Sequence, residues 1–156
     1  MDSAPRLLVI VRHGKAESGE EGIDHDRRLT SRGLNDSAAA GRWLAGQVDR
    51  VDHAWVSSAR RAQQTWEAVQ GSLPAAAEVV VARDLYQAGP REVVEHVGAT
   101  DVPVQLVVGH NPTLEQVVMT LTGDRHGLKP GAVALVELDG TGGTDGRLRE
   151  LWTPTR

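Results

Sequence analysis

The sequence contains no cysteine and no long apolar run, and each absence excludes a class of protein. Without cysteine, the 156 residues have no disulfide bond, no thiolate metal ligand and no cysteine nucleophile. The apolar run near the amino terminus, residues 7–11, is too short for the core of a signal peptide or for a membrane span. We therefore expect a cytoplasmic protein, in a reducing compartment and away from membranes.

Charge of one sign is also not in large excess. Lys and Arg number 17 against 21 Asp and Glu, which gives a formal net charge of -4 at pH 7. A general nucleic-acid binder usually carries a basic stripe, and the composition suggests none. The hydrophobic share of 40% and the charged share of 24% are ordinary for a globular protein. We expect one domain over residues 1–156, monomeric, that does not bind nucleic acid.

Apolar runs alternate along the chain with helical patterns. Short β-branched runs indicate buried strands, and apolar residues three or four apart indicate helices with one buried face. The predicted strands are residues 7–11, 51–57, 79–81, 104–108, 132–138 and 148–152, the last two paired across the glycine-rich turn at 140–146. The predicted helices are one with Leu34, Ala38, Gly41, Ala45 and Val48 on its apolar face, then 60–70, 90–97 and one opening at Pro112.

This alternation predicts an α/β fold. We expect a three-layer α/β/α sandwich around a mostly parallel central sheet, with an antiparallel hairpin at its edge. Side chains near helix starts provide candidate caps, Thr30 or Ser31 for the first helix and Asn111 for the last. In such sheets, ligands bind beyond the carboxyl ends of the strands.

Arginines and histidines follow three of the predicted strands. Arg12-His13-Gly14 follows the first, residues 57–65 follow the second, and Gly-His-Asn-Pro at 109–112 follows the fourth. An arginine fork binds phosphate with two hydrogen bonds, and a neutral imidazole can attack phosphorus and form a covalent intermediate. A second, protonated histidine can stabilise the transition state. The set is suited to metal-free phosphoryl transfer.

Four segments in order resemble the motifs of the histidine phosphatase superfamily, which includes the cofactor-dependent phosphoglycerate mutases. They are residues 8–16, 29–33, 57–65 and 107–114. The short chain, the Gly-His-Asn-Pro segment and the absence of room for a cap insertion between residues 84 and 110 resemble the SixA-like phosphohistidine phosphatases. That resemblance implies the α/β/α fold of the superfamily and a site open enough for a phosphorylated protein side chain.

The resemblance also implies a role for each matching residue. His13 is implied as the nucleophile, forming a phosphohistidine intermediate, and His110 as the second histidine of the pocket. Arg12 and Arg61 are implied as phosphate ligands, whereas the neighbouring arginine at position 60 does not match. Gly14 is expected to permit a special backbone conformation or a close approach of phosphate. No metal and no cofactor are implied.

The proton donor is the least defined part of the predicted site. Many members of the superfamily place a carboxylate after the third strand, where Asp84 is the nearest candidate and Glu92 a poorer one. The SixA-like branch has no well-defined acid, and a phosphohistidine needs one less than an alkyl ester does. Two alternatives stay open: a phosphatase of small phosphomonoesters, and a phosphoryl-binding module without turnover. The charged segment 18–28 is interpreted as a solvated face that could touch a protein substrate.

Overall fold

A mixed sheet of six strands with helices on both faces organises the chain. The computed structural model describes residues 6–18, 23–76, 78–139 and 145–155. The glycine-rich turn predicted at 140–146 therefore lies mostly outside the described residues. No helix in the described ranges is both long enough and apolar enough to cross a membrane.

The elements follow one another in the predicted alternation. The strands are β1 (Arg6–Arg12), β2 (His53–Ser57), β3 (Glu78–Ala82), β4 (Val104–Gly109), β5 (Val133–Leu138) and β6 (Gly146–Trp152). The helices are α1 (Ser31–Ala45), α2 (Arg60–Gln70), α3 (Asp84–Gln87), α4 (Pro90–Ala99) and α5 (Thr113–Thr122), with a 3-10 turn at Asp24–Asp26.

The strand order places β1 near the centre of the sheet. The order is β3-β2-β4-β1-β5-β6, with β3, β2, β4 and β1 parallel to one another. Strand β5 pairs with β1 in the antiparallel sense, and β6 pairs with β5 in the same way. The predicted mostly parallel sheet with an antiparallel edge hairpin is confirmed. The parallel strands bring the ends of β1, β2 and β4 to one edge of the sheet.

Strand β1 is buried on both faces and divides the core into two layers. Val9 and Val11 belong to the cluster that includes buried residues of α1 and α2. Leu8 and Ile10 belong to the opposite cluster, with residues of α4 and α5. Because successive strand residues point to opposite faces, a continuous apolar run supplies both layers. The three-layer architecture follows.

The buried face of α1 differs from the predicted one. Leu34, expected in the core, is 41% exposed. The face that packs inward is built largely of small residues: Gly33, Ser37, Ala40, Gly41 and Leu44. The expectation was wrong because it followed residue size, whereas this helix packs by backbone approach. A Cβ added at Gly41 would lie 2.3 Å from the carbonyl oxygen of Val69 on α2. Thr30 caps the helix, accepting a hydrogen bond from the Gly33 N–H at 3.0 Å.

Candidate active site

The candidate site lies where β1, β2 and β4 end. His13 follows β1, Ser57 ends β2 and His110 follows β4. Because β4 lies between β1 and β2 and is parallel to both, the three side chains reach the same edge of the sheet. The imidazole centroids of His13 and His110 are 5.2 Å apart. The structure thus brings together two histidines that are far apart in the sequence.

His13 is held in one tautomer by its own backbone neighbourhood. Its Nδ1 lies 2.7 Å from the carbonyl oxygen of Gly14. A carbonyl only accepts, so the proton must be on Nδ1 and the lone pair on Nε2 is left for attack. Burial, chiefly, lowers the pKa of His13 to about 4, and the nearby arginines lower it further. The imidazole is therefore neutral at pH 7, as a nucleophile must be.

His110 is held between a serine and an arginine. Its Nε2 lies 2.7 Å from Ser57 Oγ, and its Nδ1 lies 3.4 Å from Arg61 Nη2. Because a guanidinium can only donate, Nδ1 accepts and Nε2 carries the proton that is donated to Ser57. Burial first, then the charges of His13 and Arg61, lower the pKa of His110 to about 3. The expected protonated histidine is thus neutral at pH 7, and a bound phosphate dianion is what would raise its pKa.

Arg61 lies in the first turn of α2 and is 5% exposed, whereas its neighbour Arg60 is exposed. Its guanidinium is bound by one residue of the 3-10 turn. Nη1 donates to the carbonyl oxygen of Asp24 at 2.8 Å, and Nη2 donates to Asp24 Oδ2 at 3.2 Å. The Arg61 side chain also lies over Tyr86, with 5.9 Å from its Cζ to the ring centroid. The fork that phosphate would use is therefore shared with a carboxylate.

Arg12 is held by the connection between α5 and β5. Its Nη1 donates to the carbonyl oxygen of Leu128 at 2.8 Å. The same oxygen accepts from Asn111 Nδ2 at 2.9 Å, and the Leu128 N–H donates to Glu115 Oε2 at 2.7 Å. The predicted cap at Asn111 is wrong, because its amide is used here and α5 starts after Pro112 without a side-chain cap.

Gly14 is required for packing, not for an unusual conformation. Its φ is not in the positive range, which in the described residues occurs at Gly123 and Gly131. A Cβ at Gly14 would lie 2.7 Å from the carbonyl oxygen of Gly33, in the first turn of α1. Its N–H donates to Thr65 Oγ1 at 3.1 Å. The contact with Thr65 ties the segment after β1 to α2, which carries Arg61.

The two aspartates near the site have exchanged their expected importance. Asp84, the predicted proton donor, lies at the start of α3 with Oδ2 2.8 Å from His96 Nε2 on α4. Asp24, which the sequence analysis placed on a solvated face, contacts Arg61 instead. A hydrogen bond from Tyr86, followed by the Arg61 charge, lowers the pKa of Asp24 to about 2. The carboxylate that reaches the pocket is therefore ionised.

A cavity of about 560 Å³ adjoins the pocket on the side of Asp24 and Tyr86. The Tyr86 ring meets the His110 ring edge-on, with centroids 5.7 Å apart, and meets the His25 ring in the same manner at 4.8 Å. Arg83 and Gln87 line the same space. No group of three or more metal-ligating side chains occurs in the part of the chain that the structure describes.

Comparison with known proteins agrees with this geometry. The family model of the histidine phosphatase superfamily (branch 1) matches residues 8–89, which contain His13 and Arg61. The chain belongs to this superfamily. The matched range ends before β4, so His110 comes from outside it.

Solved structures extend the likeness over the whole histidine phosphatase domain. A provisionally assigned phosphohistidine phosphatase SixA from Nakamurella multipartitia is 31% identical, covers 100% of both chains and has a TM-score of 0.84. The protein histidine phosphatase SixA complexed with tungstate is 28% identical over 95% of this chain and 97% of its own, with a TM-score of 0.86.

Among curated proteins, the Escherichia coli phosphohistidine phosphatase SixA is 37% identical over 75 residues, 47% of this chain and 46% of its own. The protein is therefore a phosphatase that acts on a phosphorylated substrate.

Proposed function

We propose that this phosphatase removes phosphate from phosphohistidine in a protein, through a covalent phosphoryl group on His13 and without a metal ion. The observation that carries the proposal is the state of His13: a neutral ring whose Nδ1–H is bound by Gly14, so that Nε2 keeps its lone pair. A cytoplasmic, monomeric enzyme without nucleic-acid or membrane partners remains part of the proposal.

Positive charge surrounds the position that a phosphoryl group would take. We propose that Arg12, Arg61 and His110 bind its equatorial oxygens and that Gly14 leaves room for it beside the nucleophile. Arg12 Nε and Arg61 Nε are enclosed and have no acceptor among the described residues. Because enclosed donors usually have partners, these two support a site for an oxygen-rich anion.

The leaving group supports phosphohistidine over a small phosphomonoester. An alkyl ester leaves as an alkoxide and needs a proton donor. Asp24 is ionised and Asp84 is paired with His96, so neither is an obvious donor. Asp84 stays a prediction as general acid. A phosphohistidine leaves as an imidazole, which already carries its proton, and the SixA proteins among the relatives are described as phosphohistidine phosphatases.

Trapping the phosphoenzyme tests the proposal. We expect a labelled phosphoryl donor, quenched during turnover, to leave acid-labile and alkali-stable label on the protein. His13→Ala should abolish the label and lower the rate by at least about 10³-fold, since the nucleophile is lost. The matched control is His126→Ala, on the connection between α5 and β5, which should keep both.

Three outcomes would contradict parts of the proposal. Label that persists in His13→Ala excludes His13 as the nucleophile. Activity that disappears with a chelator excludes the metal-free reaction. Faster hydrolysis of alkyl phosphates than of a phosphohistidine protein favours the phosphomonoester alternative.

A further inference from the structure

The Asp24 carboxylate lies between the phosphate-binding arginine and the adjoining cavity. Its Oδ2 accepts from Arg61 Nη2 at 3.2 Å and from the Tyr86 hydroxyl. Its Oδ1 accepts from Arg27 Nε at 2.9 Å. The side chain is 53% exposed and lines the cavity of about 560 Å³ beside Tyr86. A charged group is thus held in a fixed position where a substrate passes from solvent to the arginine.

This carboxylate can accept further hydrogen bonds but cannot donate. Each carboxylate oxygen accepts about two, and Oδ1 takes one from the residues that the structure describes. Asp24 is ionised at neutral pH, because Tyr86, Arg61 and Arg27 all stabilise the charged form. It therefore favours a substrate group that carries an N–H and positive charge, and it disfavours one that develops negative charge.

Phosphohistidine carries such a group at the moment of reaction. In its protonated form, one ring nitrogen is bonded to phosphorus and the other carries a proton. As His13 Nε2 forms its bond to phosphorus, the substrate P–N bond breaks and its electron pair returns to the leaving nitrogen. The proton stays on the other nitrogen, and a neutral imidazole departs. An alkyl or aryl ester leaves instead as an oxyanion.

We propose that Asp24 selects the substrate by accepting a hydrogen bond from the N–H of the phosphohistidine ring. The inference rests on the proposed function and deepens it, since it names the residue that recognises the leaving group. The cavity has aromatic walls in Tyr86 and His25, suited to a flat ring. The carboxylate stabilises the protonated, reactive form of that ring and repels the oxyanion of an ester.

Asp24→Asn should therefore have opposite effects on two substrates. We expect kcat/KM to fall by about tenfold or more on a phosphohistidine peptide, since one charge-assisted hydrogen bond is lost. On an aryl phosphate, we expect kcat/KM to rise severalfold, because a negative charge beside the phosphate is removed. A residue that merely supports Arg61 would lower both. Asp24→Glu keeps the charge and should recover part of the phosphohistidine preference.

Glu17→Gln is the matched control, because it removes one charge from an exposed side chain of the same segment. The Glu17 contact with Arg27 uses the backbone carbonyl and is kept. We expect its preference between the two substrates to stay within about twofold of the wild-type value, as for a surface change away from special features. An equal shift in Glu17→Gln and Asp24→Asn would assign the effect to general surface charge and overturn the inference.

Two failures are distinguishable. If the wild-type enzyme forms the His13 phosphoenzyme from an aryl phosphate but does not act on phosphohistidine, the proposed substrate is wrong and the inference falls with it. If the wild-type enzyme acts on phosphohistidine and Asp24→Asn lowers both rates by the same factor, only the inference is overturned. Urea unfolding of each variant shows whether it is folded.

Discussion

The floor and the rim of the active site are built in different ways. The floor consists of His13, Gly14, Ser57 and His110, at the ends of adjacent strands. The rim consists of segment 23–28, Tyr86 and the connection 123–131. Backbone hydrogen bonds fix the floor, such as that from the His13 N–H to the Gly109 carbonyl oxygen at 3.2 Å. Side-chain hydrogen bonds between charged or polar groups hold the rim.

The difference separates the chemistry from the choice of substrate. The floor provides the nucleophile and depends on sheet register, which a single residue can hardly alter. The rim determines what stands beside the phosphate, and there Asp24 binds Arg61 through a half-exposed carboxylate. A change in the floor should therefore affect folding and every substrate, and a change in the rim should affect one substrate more than another.

The largest expected effect comes from the packing beneath the floor. A Cβ at Gly33 would lie 2.2 Å from the backbone carbonyl oxygen of Lys15, so Gly33→Ala must displace α1 or the segment after β1. We expect the free energy of unfolding, measured in urea, to fall by about 2–3 kcal/mol. Gly46→Ala, where the nearest atom is at 3.4 Å, should change it by less than about 1 kcal/mol. Equal effects would show that α1 packs less closely than described.

Two adjacent serines compare floor and rim directly. Ser57 accepts a hydrogen bond from His110, whereas Ser58 Oγ lies 2.9 Å from His25 Nε2. Ser57→Ala leaves the His110 N–H without its partner, and we expect kcat to fall by about 10- to 100-fold on every substrate. Ser58→Ala should stay within about threefold. Steady-state kinetics on phosphohistidine and aryl phosphate substrates decide, and a larger effect of Ser58→Ala would contradict the division into floor and rim.

The pH dependence of stability should separate the two regions by window. The pKa values of His13 and His110 fall from 6.5 to about 4 and about 3 on folding. The unfolded chain therefore binds more protons below pH 6.5, and stability is lost as pH falls from there toward 4. We expect a loss on the order of 1 kcal/mol between pH 7 and pH 5. The Asp24 contribution, with a pKa lowered from 3.8 to about 2, is lost only below that range.

Urea unfolding at pH 7 and pH 5 measures the histidine contribution. The double variant His13→Ala, His110→Ala should lose most of the dependence in this window, whereas Asp24→Asn should retain it. A double variant with an unchanged slope would show that other groups carry the effect.

The floor could be predicted from the sequence because it depends on local patterns. Apolar runs marked the strands, parallel strands share an edge, and His13 and His110 follow two such runs. The motif resemblance distinguished Arg61 from Arg60, and helix geometry explains why only one of two adjacent residues faces inward. These inferences need only the order of elements, which the alternation of patterns gives.

The rim could not be predicted, because its contacts depend on how irregular segments fold. Asp24 and Arg61 are 37 positions apart, and no periodicity marks a residue in a 3-10 turn as a pocket residue. Asn111 had the position and type of a helix cap, yet its amide binds the Leu128 carbonyl oxygen 17 positions away. In both cases a long-range hydrogen bond outweighed the local preference, as tertiary contacts commonly do.

The Leu128 peptide group has a consequence for how the chain tolerates length changes. Its N–H and its carbonyl oxygen are both bound, by Glu115 on one side and by Arg12 and Asn111 on the other. Surface connections usually accept insertions and deletions freely. Here the spacing between α5 and β5 also sets where an arginine stands beside the nucleophile. Engineers who lengthen this enzyme should therefore choose another connection for an inserted tag or domain.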